Sequence, residues 1–113
     1  MKILLIEDNT IIGLNIKEFL EDEGFQVELY RDWENGQRAA LREKYDIFLF
    51  DIMLPMKNWF EIAKTVRENK IDTPIIFLTA KEDLESKEKW FWIWADDYIT
   101  KPFKMRELVL RIK

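Results

Sequence analysis

A chain of 113 residues, 48% hydrophobic and 35% charged, is expected to form one globular domain, too short for two cores and too apolar to be disordered. Its net charge of −4 argues against nucleic acid as a direct partner, and the lack of Cys and His removes thiol nucleophiles, thiolate metal sites and histidine acid–base catalysis. No apolar run approaches the ~18 residues of a membrane span, and the short run 3–6 is closed by Glu7 and Asp8, so a cytoplasmic location without membrane contact is expected.

Short apolar runs alternate with longer amphipathic ones. Lys2 to Ile6 reads as a strand, and Asn9 or Thr10 can cap a helix whose Ile12, Ile16, Phe19 and Leu20 share one face. Gly24 suits the left-handed position that ends a helix, with Phe25 packing back beyond it. Residues 25–30 alternate apolar and polar, the pattern of a strand near an edge, and 34–44 form a helix with few large apolar groups. Residues 46–51 are the third strand, apolar from Ile47 to Phe50 as if covered on both faces, and ending on Asp51. A helix over 58–69 turns Phe60, Ile62, Ala63 and Val66 inward. Pro74 opens a fourth strand, Ile75 to Leu78. A helix over 83–93, a short strand at 98–100 and a last helix over 104–113 with Leu108, Val109 and Ile112 complete the chain.

Five strand-then-helix units imply an α/β fold, a doubly wound parallel sheet with helices on both faces and right-handed crossovers. Working groups in such sheets lie at the carboxyl ends of the strands. Those ends carry Glu7 and Asp8, Asp51, Thr79, and Thr100 with Lys101. Three adjacent carboxylates repel, by on the order of 4 kcal/mol per pair at ~4 Å and an effective dielectric of ~20. A divalent cation relieves this, and an all-oxygen donor set selects a hard one such as Mg2+. A carboxylate beside that cation, a lysine and a hydroxyl suits phosphoryl transfer to Asp51, with Lys101 and Thr79 meeting the transferring oxygens. Taken singly, the same residues have plainer readings. Glu7 and Asp8 can be charges at a helix N-terminus, Thr79 a helix cap, Lys101 a solvated lysine and Tyr98 a packing residue.

The segments Ile6-Glu7-Asp8, Asp51-Ile-Met-Leu-Pro55, Leu78-Thr79-Ala80 and Ala95-Asp-Asp-Tyr-Ile-Thr-Lys-Pro-Phe103, in this order and spacing, resemble the receiver domain of bacterial two-component response regulators over essentially residues 1–113. The resemblance implies a flavodoxin-like five-stranded sheet of order 2-1-3-4-5. It makes Asp51 the phosphoacceptor and Lys101 the phosphate-binding lysine, followed by a cis peptide at Pro102. Asp8 and Asp51 would hold Mg2+, Glu7 would help through water, and Met53 would offer its backbone carbonyl. Thr79 and Tyr98 match the switch pair. The phosphoryl donor would be an external sensor histidine kinase, and the chain would be no enzyme beyond its own phosphorylation and dephosphorylation. The likeness is closest to receivers joined to winged-helix DNA-binding domains, so an output module is expected to be absent from this chain.

In that subfamily, activated receivers pair through the helix over 83–93, the fifth strand and the last helix. Lys87, Asp96, Asp97, Glu107, Arg111 and Lys113 match its cross-dimer ion pairs, and Phe91 and Val109 its apolar patch; the plainer reading is a solvated charged face. The chain departs from the pattern at Trp33, Trp59, Trp90 and Trp94, which stand where the family usually has glycine, with Trp92 between the last two. Tryptophan does not adopt positive φ cheaply. Two origins are open: glycine codons redesigned or decoded as tryptophan, or loops rebuilt in a receiver with altered switching. The rival function is a pseudo-receiver or engineered scaffold that dimerises or binds partners without phosphate.

Overall fold

Successive residues of a strand face opposite sides of a sheet, so an unbroken apolar run belongs where both sides are covered. In the computed structural model such runs form the centre of a parallel sheet: Lys2–Ile6 (β1), Ile47–Ile52 (β3) and Ile75–Ala80 (β4). Gln26–Tyr30 (β2) and Asp97–Lys101 (β5) flank them, giving the order β2-β1-β3-β4-β5 with every pairing parallel. The helices are Thr10–Asp22 (α1), Trp33–Arg42 (α2), Met56–Glu68 (α3) and Met105–Ile112 (α4). The structure describes residues 1–52, 56–80, 97–101 and 104–112, with the backbone alone for 52, 56–60, 79, 80, 98, 100 and 101. The parallel α/β architecture expected from the strand–helix alternation is the one found; the helix expected over 83–93 lies outside the described residues. No helix among the described residues is long and apolar enough to cross a membrane.

Each face of the sheet has its own core. Leu4, Ile6, Phe48, Phe50, Ile75 and Phe77 pack against Ala39 and Ala40 of α2 and Ile62, Ala63 and Val66 of α3. Ile3, Leu5, Leu49, Ile76, Leu78 and Ile99 pack against Ile16 and Leu20 of α1 and Leu108, Val109 and Ile112 of α4. Helix α2 carries small residues because it lies close to β1. A Cβ at Gly36 would come within 2.7 Å of Ile6 Cγ1.

The helix ends are locally encoded. Asn9 caps α1 by accepting from the Ile12 N–H (3.0 Å), and Asp32 caps α2 through Asn35 N–H (2.7 Å). Helix α1 closes in a Schellman motif: Gly24 has φ 99°, its N–H donates to Glu21 O, and Phe25 N–H reaches Leu20 O. Helix α3 closes the same way, with Lys70 N–H on Arg67 O and Ile71 N–H on Val66 O, but a lysine at φ 61° fills the left-handed position. Beyond it, Arg67 Nη1 donates to the carbonyls of Ile71 (2.9 Å) and Thr73 (2.8 Å), and Phe48 N–H to Pro74 O (2.9 Å).

At the amino ends of the strands the polar groups are matched. Lys2 Nζ lies 3.0 Å from Glu43 and 3.5 Å from Glu28, and sits 5.0 Å from the centre of the Tyr45 ring. The Tyr45 hydroxyl donates to Glu28, Thr73 Oγ1 donates to Tyr45 O, and the Lys2 N–H donates to Asp46 (2.7 Å). The hydrogen bond to Glu43 raises the Lys2 ammonium above its ordinary value, and the same bond lowers the Glu43 carboxyl. Burial, with Glu28 beside it, pushes the Tyr45 phenol up.

Candidate functional site

The carboxyl ends of the strands carry the expected acids. Ile6 stands opposite Phe50 in the β1–β3 register, so Glu7 follows alongside Asp51, about one strand spacing (~4.8 Å) away. Both residues are completely buried, and they are the buried charged residues among those described. Glu7 keeps β1 in register with β2 by donating its N–H to Tyr30 O (3.0 Å). Its Oε1 accepts from Asn9 N–H (3.1 Å), while Oε2 is buried without a hydrogen-bond partner among the described residues. A buried carboxylate oxygen left in this way is costly.

Helix α1 makes room for this side chain. A Cβ at Gly13 would fall 3.3 Å from Glu7 Cγ and 3.1 Å from Leu29 Cδ1, so the glycine leaves the space that Glu7 fills. The N-terminus of α1 follows directly after Asn9 and brings the positive end of the helix dipole to the acids. The helix N-terminus beside these acids was expected, whereas Gly13 was not. A glycine one helical turn past a capping asparagine is the signal that points to it.

The three expected acids differ in burial. Among the described residues no three His, Cys, Asp or Glu side chains stand close enough to hold a metal ion. Glu7 and Asp51 share the buried position, whereas Asp8 is exposed. The pair still fits a hard cation. Its donors are all oxygens, one of them is buried and unsatisfied, and a third acid follows in the chain.

Backbone register places the other expected residues on the same rim. Thr79 pairs with Ile52 on one side and Thr100 on the other. Asp51 pairs with Leu78 and Leu78 with Ile99, so Lys101, opposite Ala80, lies two positions beyond the Asp51 row and two strands across. That is roughly 7 Å along and 10 Å across the sheet. Tyr98 pairs with Phe77, one row below. Met53 and Pro102 lie outside the described residues, as do Lys87, Phe91, Asp96, Lys113, Trp90, Trp92 and Trp94.

Of the expected dimer face, Asp97, Glu107 and Arg111 are at the surface or half-buried. Val109 is not available there. Only 7% exposed, it packs in the core under α4, because the helical period turns 108, 109 and 112 inward together. The tryptophan expectation is also corrected where the structure reaches it. Trp33 opens α2 and packs partly buried against the core, and Trp59 lies within α3, so neither requires positive φ.

The family model of the response regulator receiver domain matches residues 3–113. The chain belongs to this family. It is 48% identical over 113 residues to the transcriptional regulatory protein RprY of Bacteroides fragilis, covering all of this chain and 48% of that protein. It is 42% identical over 113 residues to the transcriptional regulatory protein CiaR of Streptococcus pneumoniae, half of whose length it covers. Among solved structures, the receiver domain of the Francisella response regulator 1452 superposes with a TM-score of 0.86 at 31% identity, over 98% of this receiver and 92% of that chain. The receiver therefore spans about half the length of the curated relatives it matches.

Proposed function

We propose that this receiver is a phosphorelay switch that accepts a phosphoryl group on Asp51. The observation that carries the reading is the pairing of two fully buried carboxylates, Glu7 and Asp51, at the carboxyl rim, with Glu7 Oε2 left without a hydrogen bond. Glu7 and Asp51, with Asp8 and the Met53 carbonyl, would hold Mg2+, which when bound neutralises charge as phosphorus is transferred. Asp51 is the nucleophile and forms a mixed anhydride as the donor's leaving group departs. Lys101 meets the phosphoryl oxygens, Thr79 donates a hydrogen bond to them, and Tyr98 moves with Thr79 as the switch pair. These 113 residues hold no His, so a phosphohistidine donor lies outside them, and a separate sensor kinase is its proposed source. The receiver turns over no external substrate.

The output reading is that phosphorylation drives pairing of two receivers through β5 and α4, and thereby controls transcription by the rest of a longer protein. Adding Mg2+ and beryllofluoride tests the switch. The tryptophan fluorescence of the parent changes and that of Asp51→Asn does not; an unaltered parent spectrum argues against the reading. A pseudo-receiver would instead form the same dimer with or without the phosphodonor.

A further inference from the structure

Arg111, in the last turn of α4, reaches back to Asp97 at the start of β5. Its Nη1 donates to both carboxylate oxygens at 2.8 Å, with the two side chains 44% and 35% exposed. The pair ties strand to helix on the outward surface of one chain. Helix α4 spends Leu108, Val109 and Ile112 on its own core, which turns Glu107, Leu110 and Arg111 outward. Leu110 is 71% exposed and stands one turn from Glu107, beside Arg111. An apolar residue flanked by both signs of charge, next to a strand that opens on an acid, suits a two-fold contact with a second copy.

We propose that the Arg111–Asp97 pair is a latch that opposes self-association of this receiver. The inference rests on the dimer reading above and adds an order of events to it. Two separate chains hold two pairs, each within itself. A two-fold dimer that used these charges would also hold two, each between chains. This particular pair is exchanged one for one, so it gives no drive to associate, and each chain must first release its own contact. Association then depends on the other contacts of the face, Leu110 among them, and on whatever phosphorylation changes at β5. High salt weakens both sets of pairs alike, so it loosens the latch as well as the dimer.

Charge reversal separates the two sets. D97R carries two cations at the latch and R111D two anions, so in neither can the contact close within a chain, and in neither can it form between identical chains. Mixed one to one, they can pair only across chains. The latch predicts that each variant alone is monomeric in sedimentation velocity. The mixture should associate without a phosphodonor about tenfold more tightly than the parent, from two surface pairs gained with none given up. The gain should vanish near 1 M salt. A mixture no tighter than the parent, when the parent dimerises with Mg2+ and beryllofluoride, overturns the latch and leaves the dimer standing. Failure of both the mixture and the beryllofluoride-treated parent to associate overturns the dimer reading and the latch with it. Circular dichroism establishes that each variant is folded, and the D97K and R111E mixture repeats the test with different side chains.

Discussion

The two rims of the sheet handle charge in opposite ways. At the amino rim, Lys2, Glu28, Glu43, Asp46 and the buried Tyr45 satisfy one another within hydrogen-bonding distance. At the carboxyl rim, Glu7 and Asp51 are wholly buried on neighbouring strands, and an oxygen of Glu7 has no hydrogen bond among the described residues. Both rims are made by the same strands, so strand propensity does not explain the contrast. Stability accounts for the amino rim. Strand packing does not account for the buried acids of the carboxyl rim, and the proposed site rests on them.

The largest effect should come from Asp51→Asn, which is expected to abolish the beryllofluoride response completely while leaving the amino rim intact, as read by fluorescence and by urea unfolding. Glu7→Gln should weaken Mg2+ binding by about ten- to a hundredfold in a fluorescence titration, the range seen when groups around a metal are altered. An unchanged affinity would mean that the orphaned oxygen is not part of the cation site. Tyr45→Phe makes the complementary break. It removes the donor to Glu28 at a buried phenol and should cost about 1–2 kcal/mol in urea unfolding, with no change in Mg2+ affinity.

The amino rim should also set the pH limits of stability. Glu43 is held below its ordinary 4.5 by Lys2, so its contribution is present above that value and is lost as pH falls through the lower folded value. Lys2 is raised above 10.5, so its share is present below that value and is lost as pH rises through the higher folded one. Melting temperature should therefore be flat between roughly pH 5 and 10 with respect to this pair and fall on both sides, and Lys2→Met should flatten both flanks. The smallest effect is expected at Lys70→Gly, which relieves the left-handed lysine after α3 and should raise stability by about 0.5–1 kcal/mol in the same unfolding assay.

Much of this was legible in the chain. The unbroken apolar runs at 47–50 and 75–78 could only be strands covered on both faces, and Gly24 marked its Schellman turn. Helix starts were less legible. Asp32 caps α2 one residue earlier than its polar pattern suggested, and α3 begins at Met56 rather than 58. At the site, sequence put Glu7, Asp8 and Asp51 on one rim, but rim membership does not fix how deeply each is buried, and Asp8 is exposed beside the buried pair. Val109 shows the same difficulty in a helix. Its place in the apolar period already pointed inward, and a surface role conflicted with it. Gly13 and Lys70 were hidden for another reason: one acts through a contact with a distant strand, and the other fills a glycine-type position without being glycine.

The Arg67 clamp has a mechanical consequence. Carbonyls at 71 and 73 are gripped by one guanidinium, and the next residue is stitched to β3, so β4 enters the sheet from a fixed fulcrum. A displacement that starts at Thr79 therefore cannot be absorbed by the whole strand sliding lengthwise. It has to swing about that anchored end, greatest at the tip and fading toward Thr73, a gradient that amide hydrogen exchange along the strand would record residue by residue.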